Sequence, residues 1–144
     1  MVKIRLLKEN DWEIVKPWLY ELAKSSFGKI ISSILEKKFQ EDYKKEPEGF
    51  VVSEDESSKK VNGFLWFSTF SEKKSVFIHA IYVAPKYRGK HVSDSLMDYL
   101  EEYCKKKNLD TLELNVTANL NYAIRFYQRR GFKTKRYFMS KKTK

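Results

Sequence analysis

The stretch "AIYVAPKYRGKHVSDSLMDYLEEYCKKK", Ala80–Lys107, decides how this 144-residue chain folds. β-Branched and aromatic residues run up to Val83, and Pro85 ends the run, as a strand leaving a sheet would. A basic loop, Tyr87-Arg88-Gly89-Lys90-His91, follows. Val92, Leu96, Leu100 and Tyr103 then recur at helical spacing, which predicts a helix over about 92–107 opening directly from the loop. Lys105, Lys106 and Lys107 complement its negative end, and Asn108 can close it. The first N–H groups of a helix have no partner within it. Strand, basic loop and helix start together therefore make an anion site. Arg88 and Lys90 add charge, Ser93 and Ser95 add hydroxyls, and a diphosphate is a suitable guest. Asp94 suits the helix dipole but opposes an anion, so it is expected to point away. The plain alternative is a capped helix after a basic turn, with no ligand.

Working outward, "VKIRLL" (2–7) reads as a first strand. Asn10 or Asp11 caps a helix to about Ser26, with Trp12, Val15, Leu19 and Leu22 on one face and Pro17 inside the pattern. Gly28 breaks it, and a second helix runs from about Lys29 to Lys45 with Ile31, Ile34, Leu35, Phe39 and the stem of Lys38 facing inward. Three consecutive strands follow at 49–54, 61–70 and 75–83, joined by polar turns. After the long helix come a strand at 111–116, a short helix at 121–130 ended by Gly131, and a last strand at 132–140. The order is β-α-α-β-β-β-α-β-α-β. The β-α-β passage from Val76 to Val116 requires a parallel pair joined by a right-handed crossover. The expected fold is a single α/β (α+β type) domain over 1–144. Its mixed, mainly antiparallel sheet carries helices on both faces.

Composition supports one soluble domain: 42% hydrophobic residues, 15% aromatic, and no apolar run near the ~20 residues of a membrane span. The start, "MVKIRLLKEND", has no signal-peptide core, so a cytoplasmic protein is expected and Asn115-Val-Thr117 is a chance match to a glycosylation acceptor. The one cysteine, Cys104, excludes an intrachain disulfide and reads as a buried thiol. The net charge of +10 is uneven: residues 1–72 carry 12 basic and 13 acidic side chains, residues 73–144 carry 17 and 6. The half that contains the loop thus holds the positive field, which attracts phosphorylated ligands or nucleic acid.

Two segments resemble the signatures of the GNAT superfamily of N-acetyltransferases. "VFIHAIYVAPKYRGK" is similar to its acyl-CoA-binding segment. "NVTANLNYAIRFYQRRGF" (115–132) looks like its second signature, a strand followed by N-x-x-A-x-x-F-Y-x-x-x-G-F. The resemblance is at motif level over about 61–140 and topological over 1–60. It departs in two places. The family loop reads Arg/Gln-x-x-Gly-x-Gly/Ala, and here His91 and Ser93 occupy the glycine positions. Glycine allows close backbone approach and positive φ, so His91 either turns its ring away from the phosphates or lays it beside them. The family asparagine position is Leu120, flanked by Asn119 and Asn121, either of which could reach the donor.

The resemblance implies a fold with a splayed central parallel pair, here the strands ending at Val83 and Val116. It implies acetyl-CoA as donor and no metal. Main-chain groups of Ile81, Tyr82 and Val83 would bind the pantetheine and polarise the thioester, and the loop Arg88, Gly89, Lys90, His91, Val92 and Ser93 would hold the pyrophosphate. An amine then attacks the thioester directly. An amine of pKa ~10.4 must lose a proton first, and the departing thiolate must gain or borrow one. Tyr127, four residues before Gly131, stands at the family's general-acid tyrosine, also near the cofactor; packing of a helix tyrosine is the alternative. Phe126 and Tyr127 are adjacent, so one is expected to pack and the other to point elsewhere. Candidate bases are Glu113, His79 or a water chain. Acceptor choice is expected to rest on the first two helices, their junction Ser25–Lys29 and the C-terminal strand. Little chain remains beyond Ser140 to roof that side, so an open site for a peptide or protein amine is expected, with a small-molecule amine as the other class. The partners expected are acetyl-CoA and this amine, with neither membrane nor nucleic acid, in a monomer or homodimer. Two other readings stay open. One is an acyl-CoA-binding module without catalysis. The other is a nucleic-acid binder using Lys133, Lys135, Arg136 and the lysine tail.

Overall fold

The computed structural model describes residues 1–27 and 32–144. Five strands form one sheet in sequential order: β1 (Val2–Leu6), β2 (Phe50–Asp55), β3 (Val61–Phe70), β4 (Ser75–Val83) and β5 (Thr111–Leu114). The first four pair antiparallel and β5 joins β4 in parallel. Helix α3 (Val92–Lys106) makes the crossover between them. Helices α1 (Trp12–Phe27) and α2 (Ser32–Lys45) precede β2, and α4 (Asn121–Arg129) follows β5. The expected fold class holds, with helices on both faces.

Each face has its own core. On one, Val92, Leu96, Met97, Leu100 and Cys104 of α3 and Phe126 of α4 meet Val51, Leu65, Phe67, Val76 and Ile78. On the other, Val15 and Leu19 of α1 and Phe39 of α2 meet Phe50, Val52, Phe64, Trp66 and Ala80. Each fully buried side chain of this kind contributes about 1.5–3 kcal/mol. Cys104 is buried as expected, and burial pushes its thiol pKa up. Pro17 lies inside α1 without ending it.

Three expectations are corrected. Ile34 is 62% exposed, because the inward row of α2 is Leu35, Phe39 and Tyr43 at spacing four. Strand β5 stops at Leu114, and 115–120 is a turn region closed by Leu120 N–H to Thr117 O (2.9 Å). Residues 132–140 form no strand, so β5 is the sheet's edge and the parallel pair lies at one end of the sheet order. Gly28, Lys29 and Ile31 fall outside the described residues.

Gly49 sits where the turn after α2 meets β3. A Cβ there would overlap the main-chain oxygen of Phe67. Gly49→Ala is expected to cost about 2 kcal/mol through overpacking, read as a lower midpoint in urea unfolding.

Candidate active site

The site begins with a β-bulge. Trp66 pairs with Ala80 and Phe67 with Ile78, leaving His79 as the extra residue of β4. The bulge changes which way the strand faces. Val76 and Ile78 point to the α3 side before it, and Ile81 and Val83 do so after it. Ala80 and Tyr82 turn instead toward α1, where Tyr82 stacks on Trp18 (5.0 Å) and donates its hydroxyl to Glu21. Burial and the Glu21 carboxylate push the Tyr82 phenol up to about 12.

Parallel pairing between β4 and β5 ends at Ile78–Leu114, yet β4 continues to Val83. On its β3 side, Ile81, Tyr82 and Val83 remain paired to Leu65, Phe64 and Gly63. Their other edge is free of ladder partners among the described residues. The opening arises because β5 ends at Leu114 while β4 runs on to Val83.

The loop beyond Val83 presents its main-chain amides outward. Gly89 (φ 77°) and His91 (φ 66°) both adopt the left-handed conformation. Ser95 is the first α3 residue whose N–H finds a partner, His91 O at 3.0 Å. Among the described residues, no main-chain N–H from Gly89 to Asp94 is paired within the protein. A run of amides at alternating hand, at a helix start, is the concave arrangement that binds phosphate. Space beside Gly89 is empty within 4 Å of where a Cβ would stand, so a ligand can approach the backbone closely. Arg88 donates from Nε to Val83 O (2.9 Å) and lies over the Tyr82 ring (5.2 Å), which ties the loop back to the strand.

His91 turns its ring toward Asp94, Nδ1 to Oδ2 at 3.1 Å, and is 84% exposed. Asp94 in turn accepts from Arg130 (3.3 Å), which also donates to Asp98 (2.7 Å) and Glu101 (2.8 Å). Arg130 thus gathers three α3 carboxylates and fastens the end of α4 to α3. Asp94, in the first turn of α3, is thus engaged by His91 and Arg130. His91→Gly is expected to raise stability by about 1 kcal/mol, since glycine adopts positive φ without a Cβ clash. A thermal melt reads this, and a lower midpoint would show that the His91–Asp94 contact outweighs the backbone strain.

The candidate chemistry divides between the two faces. Tyr127 and Phe126 both pack on the α3-side cluster, correcting the expectation that one would leave it. Phe126 is 7% exposed, and the Tyr127 ring lies 5.3 Å from Phe126 and 5.4 Å from Phe132. Burial alone pushes the Tyr127 phenol up to about 12. His79 lies on the α2 side against Trp66 (4.7 Å), with Nε2 2.7 Å from Ser68 Oγ and 3.9 Å from Asp42 Oδ2. Both neighbours face the same ring nitrogen, so this is not a nucleophilic triad, which would use the two nitrogens separately. Burial, then Lys38, lower its pKa to about 4 despite Asp42, so His79 is neutral at pH 7. An open cleft of about 660 Å³ runs past it, lined by Lys38, Asp42, Glu46, Ser68 and Tyr103 among others. Glu113 is half-exposed and faces Lys73 at 3.8 Å. Asn119 and Asn121 are both exposed, at the turn and at the first residue of α4.

The profile of the acetyltransferase (GNAT) family matches residues 17–132, which takes in the loop, the bulged strand and Tyr127. The chain belongs to the GNAT acetyltransferase family. An uncharacterized N-acetyltransferase of Methanocaldococcus jannaschii is 34% identical over 97 residues, 64% of this chain and 42% of that protein. The chain thus matches less than half the length of this curated relative. Among solved structures, Ard1 from Thermoplasma volcanium superposes with a TM-score of 0.75 at 26% identity, covering 94% of this chain and 84% of that one. The PaiA N-acetyltransferase of Thermoplasma acidophilum, solved in complex with coenzyme A, does so with 0.70 at 22% identity, covering 94% and 91%. No described helix is long and apolar enough to cross a membrane.

The contacts of Glu21, Ser68, Asp42 and Arg130 around this candidate site are not legible in the sequence. Each acts through a partner distant in the chain, and no local spacing carries that information.

Proposed function

We propose that the chain moves the acetyl group of acetyl-CoA to a primary amine by direct attack. The observation that carries this is the unpartnered run of amides from Gly89 to Asp94 beside the free edge of Ile81–Val83. The loop Arg88–Ser93 would hold the pyrophosphate, and the β4 edge would hold the pantetheine amides and polarise the thioester carbonyl. The bound thioester supplies an activated acyl group. The chain's own groups orient it, exclude water and manage two protons.

Tyr127 is assigned to the departing sulfur. Its phenol stays protonated up to about 12. Full proton transfer to a thiolate of pKa ~8.5 would be uphill by ~5 kcal/mol, so Tyr127 acts as a hydrogen-bond donor while solvent returns the proton. For the attacking amine we assign His79 ahead of Glu113. His79 stands where β4–β5 pairing ends and is neutral, whereas Glu113 is engaged by Lys73. A base of pKa about 4 relays a proton to water more than it holds one. The rate is therefore expected to rise with pH through the neutral range as the amine itself deprotonates. We assign Asn121, at the start of α4, to the pantetheine ahead of Asn119. The acceptor assigned is a peptide or protein amine, because residues 133–144 are exposed and do not roof the α1–α2 face.

Isothermal titration with acetyl-CoA is expected to show one site, and a concentration of 100 times Kd raises stability by about 2.7 kcal/mol. Thiol release over a panel of peptide and small amines then reads turnover. Absence of both heat and a melting shift overturns the reading. Binding without thiol release on any amine favours a module that holds acyl-CoA without catalysis.

A further inference from the structure

We infer that Arg130 is a positioning residue for the donor: it draws the Asp94 carboxylate away from the amide run that faces the diphosphate, and so lets the loop accept an anion. This rests on the assignment of the acetyl-CoA diphosphate to Arg88–Ser93. Asp94 is the acidic residue in the first turn of α3. Its own N–H belongs to the unpaired run from Gly89 to Asp94, so its side chain starts next to Ser93, where the diphosphate would end. A carboxylate free to swing there would meet the diphosphate with like charge. Both of its oxygens are taken instead. Oδ2 lies 3.1 Å from His91 Nδ1, and Oδ1 accepts from Arg130 at 3.3 Å. The His91 side chain is 84% exposed, so water competes for that contact. The Arg130 side chain is only 17% exposed, and its charge is less screened.

Two helices fix the guanidinium in place. The Arg130 N–H closes α4 on Phe126 O and Tyr127 O, both at 3.1 Å. The side chain then crosses to α3, where Asp94, Asp98 and Glu101 recur at i, i+4 and i+7 and share one face. Nη2 donates to Asp98 (2.7 Å) and Glu101 (2.8 Å), and these two contacts anchor the fork. Nη1 is left to reach Asp94 at the loop. A planar guanidinium can divide its donors in this way, whereas a lysine would bring one nitrogen to three carboxylates. Among the described residues, Arg130 is the one cation paired with Asp98 or Glu101. Its removal therefore leaves those two carboxylates without a paired cation and frees Asp94 beside the amide run.

Isothermal titration of the full chain with acetyl-CoA at ~150 mM salt tests this. Arg130→Met is expected to raise Kd about tenfold, which is about 1.4 kcal/mol. Adding Asp94→Asn should bring Kd back to within about threefold of the wild type, because the amide keeps the shape and drops the charge. Raising salt to ~1 M, where the screening length falls to ~3 Å, should shrink the ratio of the Arg130→Met Kd to the wild-type Kd. A role in fastening α4 alone would leave the deficit in place under both changes. Asp98→Asn with Glu101→Gln loosens the fastening but leaves Arg130 beside Asp94. Its Kd is expected within about threefold of the wild type while the melting temperature falls, and it carries the test should Arg130→Met fail to fold. The inference is overturned by an Arg130→Met Kd close to that of the wild type, by a deficit that Asp94→Asn does not restore, or by an equal deficit in the Asp98–Glu101 variant. Each of these leaves the donor assignment standing. A wild type that gives no heat with acetyl-CoA overturns the donor assignment, and this inference with it.

Discussion

A Tyr127→Phe variant is expected to lower kcat about a hundredfold, the lower end of what a positioned proton donor supplies. KM for acetyl-CoA should stay within about threefold, because the role proposed for the hydroxyl is at the departing sulfur and not in ground-state binding. The ring is held by Phe126 and Phe132, and phenylalanine keeps those contacts, so the melting temperature should barely move. The pH profile gives a second check. Burial raises the phenol to about 12, so the wild type should lose no activity to tyrosine ionisation below about pH 11. A variant with full kcat would make Tyr127 a packing residue only.

The largest effect on stability is expected at the start of α1. Asp11 is buried and accepts from Arg5 through both oxygens (2.7 and 3.0 Å) and from the Lys8 N–H (2.8 Å). Arg5 also holds Glu54 at 2.8 Å, so one guanidinium joins β1, β2 and the helix entrance. Asp11→Ala strands that guanidinium beside Glu54 alone and is expected to cost about 3 kcal/mol, the low end for breaking a buried pair. In a domain of this size that lowers Tm by about 10 °C. The pH dependence has a definite sign. Burial pushes the Asp11 carboxyl up, but the Arg5 and Lys8 bonds outweigh it and hold the pKa below 3.8. A depressed carboxyl stabilises fully above its unfolded value of ~3.9 and loses that contribution as pH falls through the lower folded value. Melts from about pH 7 down to 2.5 should therefore show this loss only below about pH 4, and Asp11→Asn should flatten that part of the curve.

Where the sequence was legible, the signal was local. Helix α3 and the loop before it were readable because Val92, Leu96 and Leu100 keep a helical period and Pro85 marks the strand's end. The closure of α3 by Asn108, which takes φ 57°, is of the same kind. Features set by partners were not readable. "SVFIHAIYV" is one unbroken strand to the eye, and only its register against Trp66 and Phe67 makes His79 the inserted residue. Ile34 has the right spacing for burial but sits beside the row that Leu35, Phe39 and Tyr43 define. The segment 132–140 has strand-forming composition, yet composition does not specify a partner.

The inserted residue in β4 has an evolutionary consequence. Upstream of it and downstream of it, odd and even positions exchange allegiance between the two layers. Substitution of Ala80 or Tyr82 can therefore change the packing beneath α1 and α2, while Ile81 and Val83 go on supporting the opposite layer. One strand can change what it presents to one layer without revising what it presents to the other.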